Sequence, residues 1–97
     1  MRMMLRWTVP VQRGNQAIKD GSLSQAIEKL VEKLEPEAAY FFPEDGMRSG
    51  LVVFDMADPS QIPQIAEPLF LALDAAVEFL PVMNPDDLRK ALEKVSA

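Results

Sequence analysis

The stretch "YFFPEDGMRSGLVVFDM", residues 40 to 56, constrains the fold of this chain more than any other. Two apolar runs of strand-like composition flank a polar segment too short to hold a crossover helix, so they must pair antiparallel as a hairpin. "EAAYFF" is bounded by Pro36 and Pro43, and "GLVVFDM" begins at Gly50, which predicts a loose turn of about six or seven residues between them. Asp45, Gly46, Arg48 and Gly50 in that segment are the most site-like group in the chain. A hairpin turn accounts for them better than a catalytic loop, because its glycines reach positive φ without a Cβ clash.

The flanking sequence supplies a strand and a helix on either side. In "MMLRWTV", Met3, Leu5, Trp7 and Val9 share one face and Met4, Arg6 and Thr8 the other, a strand ended by Pro10. "VQRGNQAIKD" has weak helical spacing and predicts at most a turn from Asn15 to Asp20. "SLSQAIEKLVEKLE" places Leu23, Ala26, Ile27, Leu30, Val31 and Leu34 on one stripe, with Ser22 and Gln25 as a capping box. A second helix starts irregularly at Asp58-Pro59, buries Ile62, Ile65, Ala66, Leu69, Phe70 and Leu73, and must accommodate Pro63 and Pro68. "AAVEFLPVM" reads as an edge strand because of Pro81, and "NPDDLRKALEKV" as a short terminal helix capped by Asn84. The order β-α-β-β-α-β-α predicts a single domain over residues 1–97 of α+β class, a ferredoxin-like split βαβ. Right-handed crossovers give an antiparallel four-stranded sheet in the order 4-1-3-2 with both long helices on one face.

Composition narrows function by exclusion. The chain has no cysteine and no histidine, which removes disulfides, thiolate chemistry, His-ligated metals and Ser–His or Cys–His nucleophile pairs. No metal and no cofactor are expected. Ten basic against 15 acidic residues give a net charge of -5, with the cations scattered, so nucleic acid is not an expected partner. No run is long enough to span a bilayer, and a soluble cytoplasmic protein is the expectation.

With Leu5 and Trp7 turned to the helices, the other sheet face carries Met4, Ala38, Tyr40, Phe42, Leu51, Val53, Leu80 and Val82. That face is too apolar to leave in water, which predicts a homodimer with the second copy as its cover. The same face places Arg6 with Asp55 and Glu78 on the flanking strands, and Tyr40 beyond them. A guanidinium between carboxylates could hold a small carboxylate-bearing or phenolic ligand; the competing account is a structural ion network that fixes strand register.

The strand patterns "LRWTVP", "EAAYFF", "RSGLVVFDM" and "VEFLPVMNP" resemble those of small bacterial proteins of the dimeric α+β barrel superfamily, in a ferredoxin-like domain family of unknown function. The resemblance implies two sheets packed face to face, and carries no site residues across. The wider superfamily includes cofactor-free monooxygenases, haem proteins, isomerase-like enzymes and ligand-sensing domains. The functional expectation is a homodimeric small-ligand-binding or interaction protein. The alternative is a cofactor-independent isomerase or monooxygenase-like enzyme with Asp55 or Glu78 as base, Arg6 as anion stabiliser and Tyr40 as donor.

Overall fold

In the computed structural model, which describes residues 1–95, the elements run β1 (Arg2–Val9), α1 (Val11–Asp20), α2 (Ser22–Leu34), β2 (Ala38–Glu44), β3 (Met47–Asp55), α3 (Gln61–Leu73), β4 (Ala76–Pro81) and α4 (Pro85–Val95). The strands form one antiparallel sheet in the order β2-β3-β1-β4, which is the expected 4-1-3-2 order read from the other edge. This is the ferredoxin-like α+β fold. Alternation along β1 does what the sequence pattern requires: Met3, Leu5, Trp7 and Val9 are buried while Arg2, Met4, Arg6 and Thr8 are half-buried on the opposite side. Val52 and Phe54 of β3 join the buried set, and Ala17 of α1, Leu30 of α2 and Ile65, Leu69 and Leu73 of α3 close over it. Phe70, expected in that stripe, is instead exposed.

The helix boundaries correct the sequence reading in three places. The segment expected to give only a turn is a ten-residue helix, α1, starting directly after Pro10. Its buried positions are Gly14 and Ala17, too small to register as an apolar stripe. Gly21 at φ 80° then breaks the chain between α1 and α2. The Ser22–Gln25 capping box does not form; Asp20 Oδ1 accepts the Ser22 N–H at 2.8 Å in its place. Pro68 sits within a continuous α3. It lacks the N–H that would reach the Gln64 carbonyl one turn back, and Lys33 Nζ of α2 donates to that oxygen at 3.3 Å. Arg13 of α1 satisfies the other end of α3, donating to the Ala72 carbonyl from Nε at 3.0 Å and from Nη2 at 2.6 Å.

The hairpin is tighter than expected. Glu44 lies opposite Met47, and only Asp45 (φ 53°) and Gly46 (φ 77°) turn between them, the two-residue geometry with positive φ at both positions that Asp-Gly favours. β2 therefore runs through Pro43, which is tolerated because β2 is an edge. The opposite edge strand β4 ends on Pro81, and the inner strands β1 and β3 contain no proline. Gly50 and Arg48 belong to β3 and not to the turn. Gly50 lies under the Trp7 indole: a Cβ there would stand 2.4 Å from the ring. Arg48 is half-buried, with Nη1 donating to Asn15 Oδ1 of α1 at 3.1 Å.

The terminal helix begins with a reciprocal cap. Asp87 Oδ2 accepts the Asn84 N–H at 3.1 Å and Asn84 Oδ1 accepts the Asp87 N–H at 2.8 Å. Beyond the cap, no residue of α4 is buried; Leu88, Leu92 and Val95 are 44%, 53% and 77% exposed. The Cα radius of gyration is 15.4 Å, against about 12.5 Å for a compact chain of this length. With α4 included, the molecule measures 56 × 27 × 17 Å.

The Asn84 N–H, with the Arg2 guanidinium behind it, holds the Asp87 carboxyl below the usual carboxylate range. A depressed pKa contributes stability above the unfolded value and loses it as pH falls through the folded one. The α4 cap is therefore expected to be intact at neutral pH and to loosen below about pH 4. An NMR titration should show the Asn84 and Asp87 amides shifting together in that range, and Asp87→Asn should abolish the transition.

Candidate functional site

The open face of the sheet is a grid. One row across it is Ala38, Val53, Met4 and Leu80; the next is Tyr40, Leu51, Arg6 and Glu78; the next is Phe42, Ser49, Thr8 and Ala76. On the far side of the first row, Asp55 faces Arg2. Residue parity assigns Met4, Arg6, Thr8, Ala38, Tyr40, Phe42, Leu51, Val53, Asp55, Glu78 and Leu80 to this face, whereas the wide turn expected from the sequence takes in Ser49; register decides which of them meet.

Arg6 and Glu78 are direct cross-strand partners. Tyr40 lies in the same row with Leu51 between, about 9.5 Å from Arg6 in strand spacings, and its ring is exposed. Asp55 is not part of the group: it pairs with Arg2, about 14 Å along β1 from Arg6. Its carboxylate is exposed and accepts from the Met1 ammonium at 2.7 Å. That hydrogen bond and charge hold the Asp55 carboxyl below the usual range, opposite to the shift a general base needs near neutral pH.

Glu44 takes the place expected for Asp55. Arg6 Nη2 donates to Glu44 Oε1 at 2.7 Å and Oε2 at 2.9 Å. This hydrogen bond, reinforced by the charges of Glu44 and Glu78, holds the guanidinium more firmly protonated than usual. The sequence carried a signal for Glu44. Asp-Gly as a two-residue turn extends β2 to residue 44, and alternation from Tyr40 and Phe42 then brings Glu44 onto the open face.

Arg6, Glu44 and Glu78 border an open notch of about 180 Å³ with Thr8, Asp45 and Met47. One cation there shares the notch with three carboxylates, those of Glu44, Asp45 and Glu78, so the group carries a net negative charge and the guanidinium is already engaged. Such a notch does not attract an anion. Both members of the Arg6–Glu44 pair are about one-third exposed, at 33% and 38%, so water screens it and it holds register more than it stabilises. At the other end of β1, Arg2 joins the sheet to its surroundings: Nε donates to Glu37 at 2.7 Å, and Nη1 reaches Asp87 of α4.

Among the described residues no group of three or more acidic, cysteine or histidine side chains is placed to hold a metal ion, and no helix is long and apolar enough to cross a membrane. No family model and no curated protein matches the chain. Among solved structures it is similar to one titled "De novo designed protein Ferredog-Diesel", at 10% identity and a TM-score of 0.48 over 84% of this chain and 85% of that one.

Proposed function

We propose that the chain is a homodimeric interaction module of the dimeric α+β barrel type, with two copies packing the open faces of their sheets together and each α4 reaching over the other copy. The observation that carries this reading is the pairing of two uncovered apolar surfaces: a bare sheet face and a terminal helix that buries none of its own stripe. A four-stranded face about 19 Å across and about 20 Å along the strands projects roughly 400 Å², and α4 adds about 160 Å². Side-chain relief raises accessible area above projected area, toward the roughly 800 Å² per partner of a standard interface. The Arg6–Glu44 pair enters such an interface already matched, and Glu78, exposed on the edge strand β4, keeps the remaining charge at the border where water reaches it. The absence of cysteine fits a reducing cytoplasm, the location we propose.

Sedimentation or light scattering at micromolar concentration should give twice the 10.8 kDa chain mass. Leu51→Lys together with Leu80→Lys should return the mass to that of one chain while leaving the circular dichroism spectrum unchanged, since both side chains point away from the core. A wild-type chain that sediments as a monomer would overturn the reading.

A further inference from the structure

On the opposite side of the sheet, where the helices stop short of the β2 edge, a groove of about 610 Å³ opens between strand and helix. Its floor is aromatic: Trp7 and Phe41 meet at a centroid distance of 6.1 Å and a tilt of 57°. Leu23 and Ile27 of α2 form one wall and Ile18 of α1 stands at the rim. Phe41 and Ile18 are both more than half exposed, at 56% and 55%, so the groove presents apolar surface from the sheet and from the helices at once. Volume and lining are those of a small-molecule site.

One polar group in it is conspicuously placed. Arg48 lies at the hairpin end, half-buried beside Val9 and Pro43. Its Nη1 is fixed by Asn15, while Nε and Nη2 have no hydrogen bond or ion pair among the described residues. The chain makes room for it: Gly14, buried within α1 where alanine would serve the helix better, leaves the space that the guanidinium occupies, and a Cβ there would come 2.8 Å from Arg48 Nη1. A positioned, charged fork with two free donors at the end of an apolar trough is the arrangement that takes a carboxylate. Glu28 also borders the groove, one helical turn beyond Ser24, and disfavours a second negative charge further along.

We infer that this groove binds a single-headed apolar carboxylate, its hydrocarbon or aromatic body against Phe41, Leu23 and Ile27 over the buried edge of Trp7 and its carboxylate on Arg48. The site lies on the helix side of the sheet, so its occupancy is read separately from self-association.

Trp7 is the sole tryptophan and reports on the groove directly. Its emission is followed during titration with octanoate, octan-1-ol and suberate. Octanoate should produce a saturable change at a concentration at least tenfold below that needed for octan-1-ol, and suberate should bind more weakly than octanoate. Arg48→Gln should reduce octanoate to the level of octan-1-ol and leave octan-1-ol unchanged. Gly14→Ala, which displaces only the flexible end of Arg48, should do the same in a fully folded chain. If wild type binds octanoate no more tightly than octan-1-ol, or if either variant keeps the tenfold preference, the carboxylate site is overturned. No response of Trp7 to any of the three overturns the groove as a ligand site altogether.

Discussion

Gly50→Ala is expected to destabilise the folded chain by about 1–3 kcal/mol, at the upper end of that range or beyond it. The backbone is not the reason, because Gly50 lies in regular β3 and has no positive φ that alanine would refuse. The reason is the indole: an added Cβ would stand 2.4 Å from one ring carbon of Trp7 and 2.9 Å from two others. Trp7 is 3% exposed and belongs to the buried cluster, so its ring cannot lift away without moving its neighbours. Urea denaturation of a four-member cycle with Trp7→Leu isolates this contact. The alanine should cost much less when residue 7 is leucine, with a coupling above about 1 kcal/mol. Additive effects would show that Trp7 does not rest on residue 50.

Phe54→Ala should cost still more, about 3–5 kcal/mol. Phe54 is 1% exposed on an inner strand and belongs to the cluster with Leu5, Leu69 and Leu73, whose atoms cannot collapse far into the space it would leave. Against a typical total of about 5–15 kcal/mol for a domain, such a loss leaves the chain barely folded at 25 °C. Phe70→Ala provides the contrast, because Phe70 is on the outer side of α3 and 40% exposed. Its loss should stay within about 1 kcal/mol. Equal costs for the two phenylalanines would mean that the helix face of the sheet has been assigned to the wrong side.

These outcomes depend on which face each strand residue takes, and that much was legible in the sequence. Period-two alternation in "MMLRWTV" separates Met3, Leu5, Trp7 and Val9 from Met4, Arg6 and Thr8 without reference to any other segment. Strand order followed from element order and crossover handedness. What alternation cannot supply is register between strands distant in sequence. Asp55 and Glu44 both belong to the open face, and only the β1–β3 alignment, set by packing of the whole sheet, puts Arg2 and not Arg6 opposite Asp55. α1 was missed for a different reason. Its buried residues are glycine and alanine, so the close approach that holds it to the sheet leaves no hydrophobic signature. Arg48 shows the cost of drawing the turn too wide, since a residue read as solvated loop is a strand side chain braced against a helix.

The distribution of proline over the sheet governs what kinds of assembly this protein can enter. Pro43 near the end of β2 and Pro81 at the end of β4 each remove a backbone donor from an outer strand, and only outer strands carry them. An incoming strand would find its ladder interrupted at either border, so growth in the plane of the sheet, the route toward fibres, is obstructed at both sides. Contacts perpendicular to the sheet meet no such obstacle, and perpendicular contact between two like faces closes after one addition.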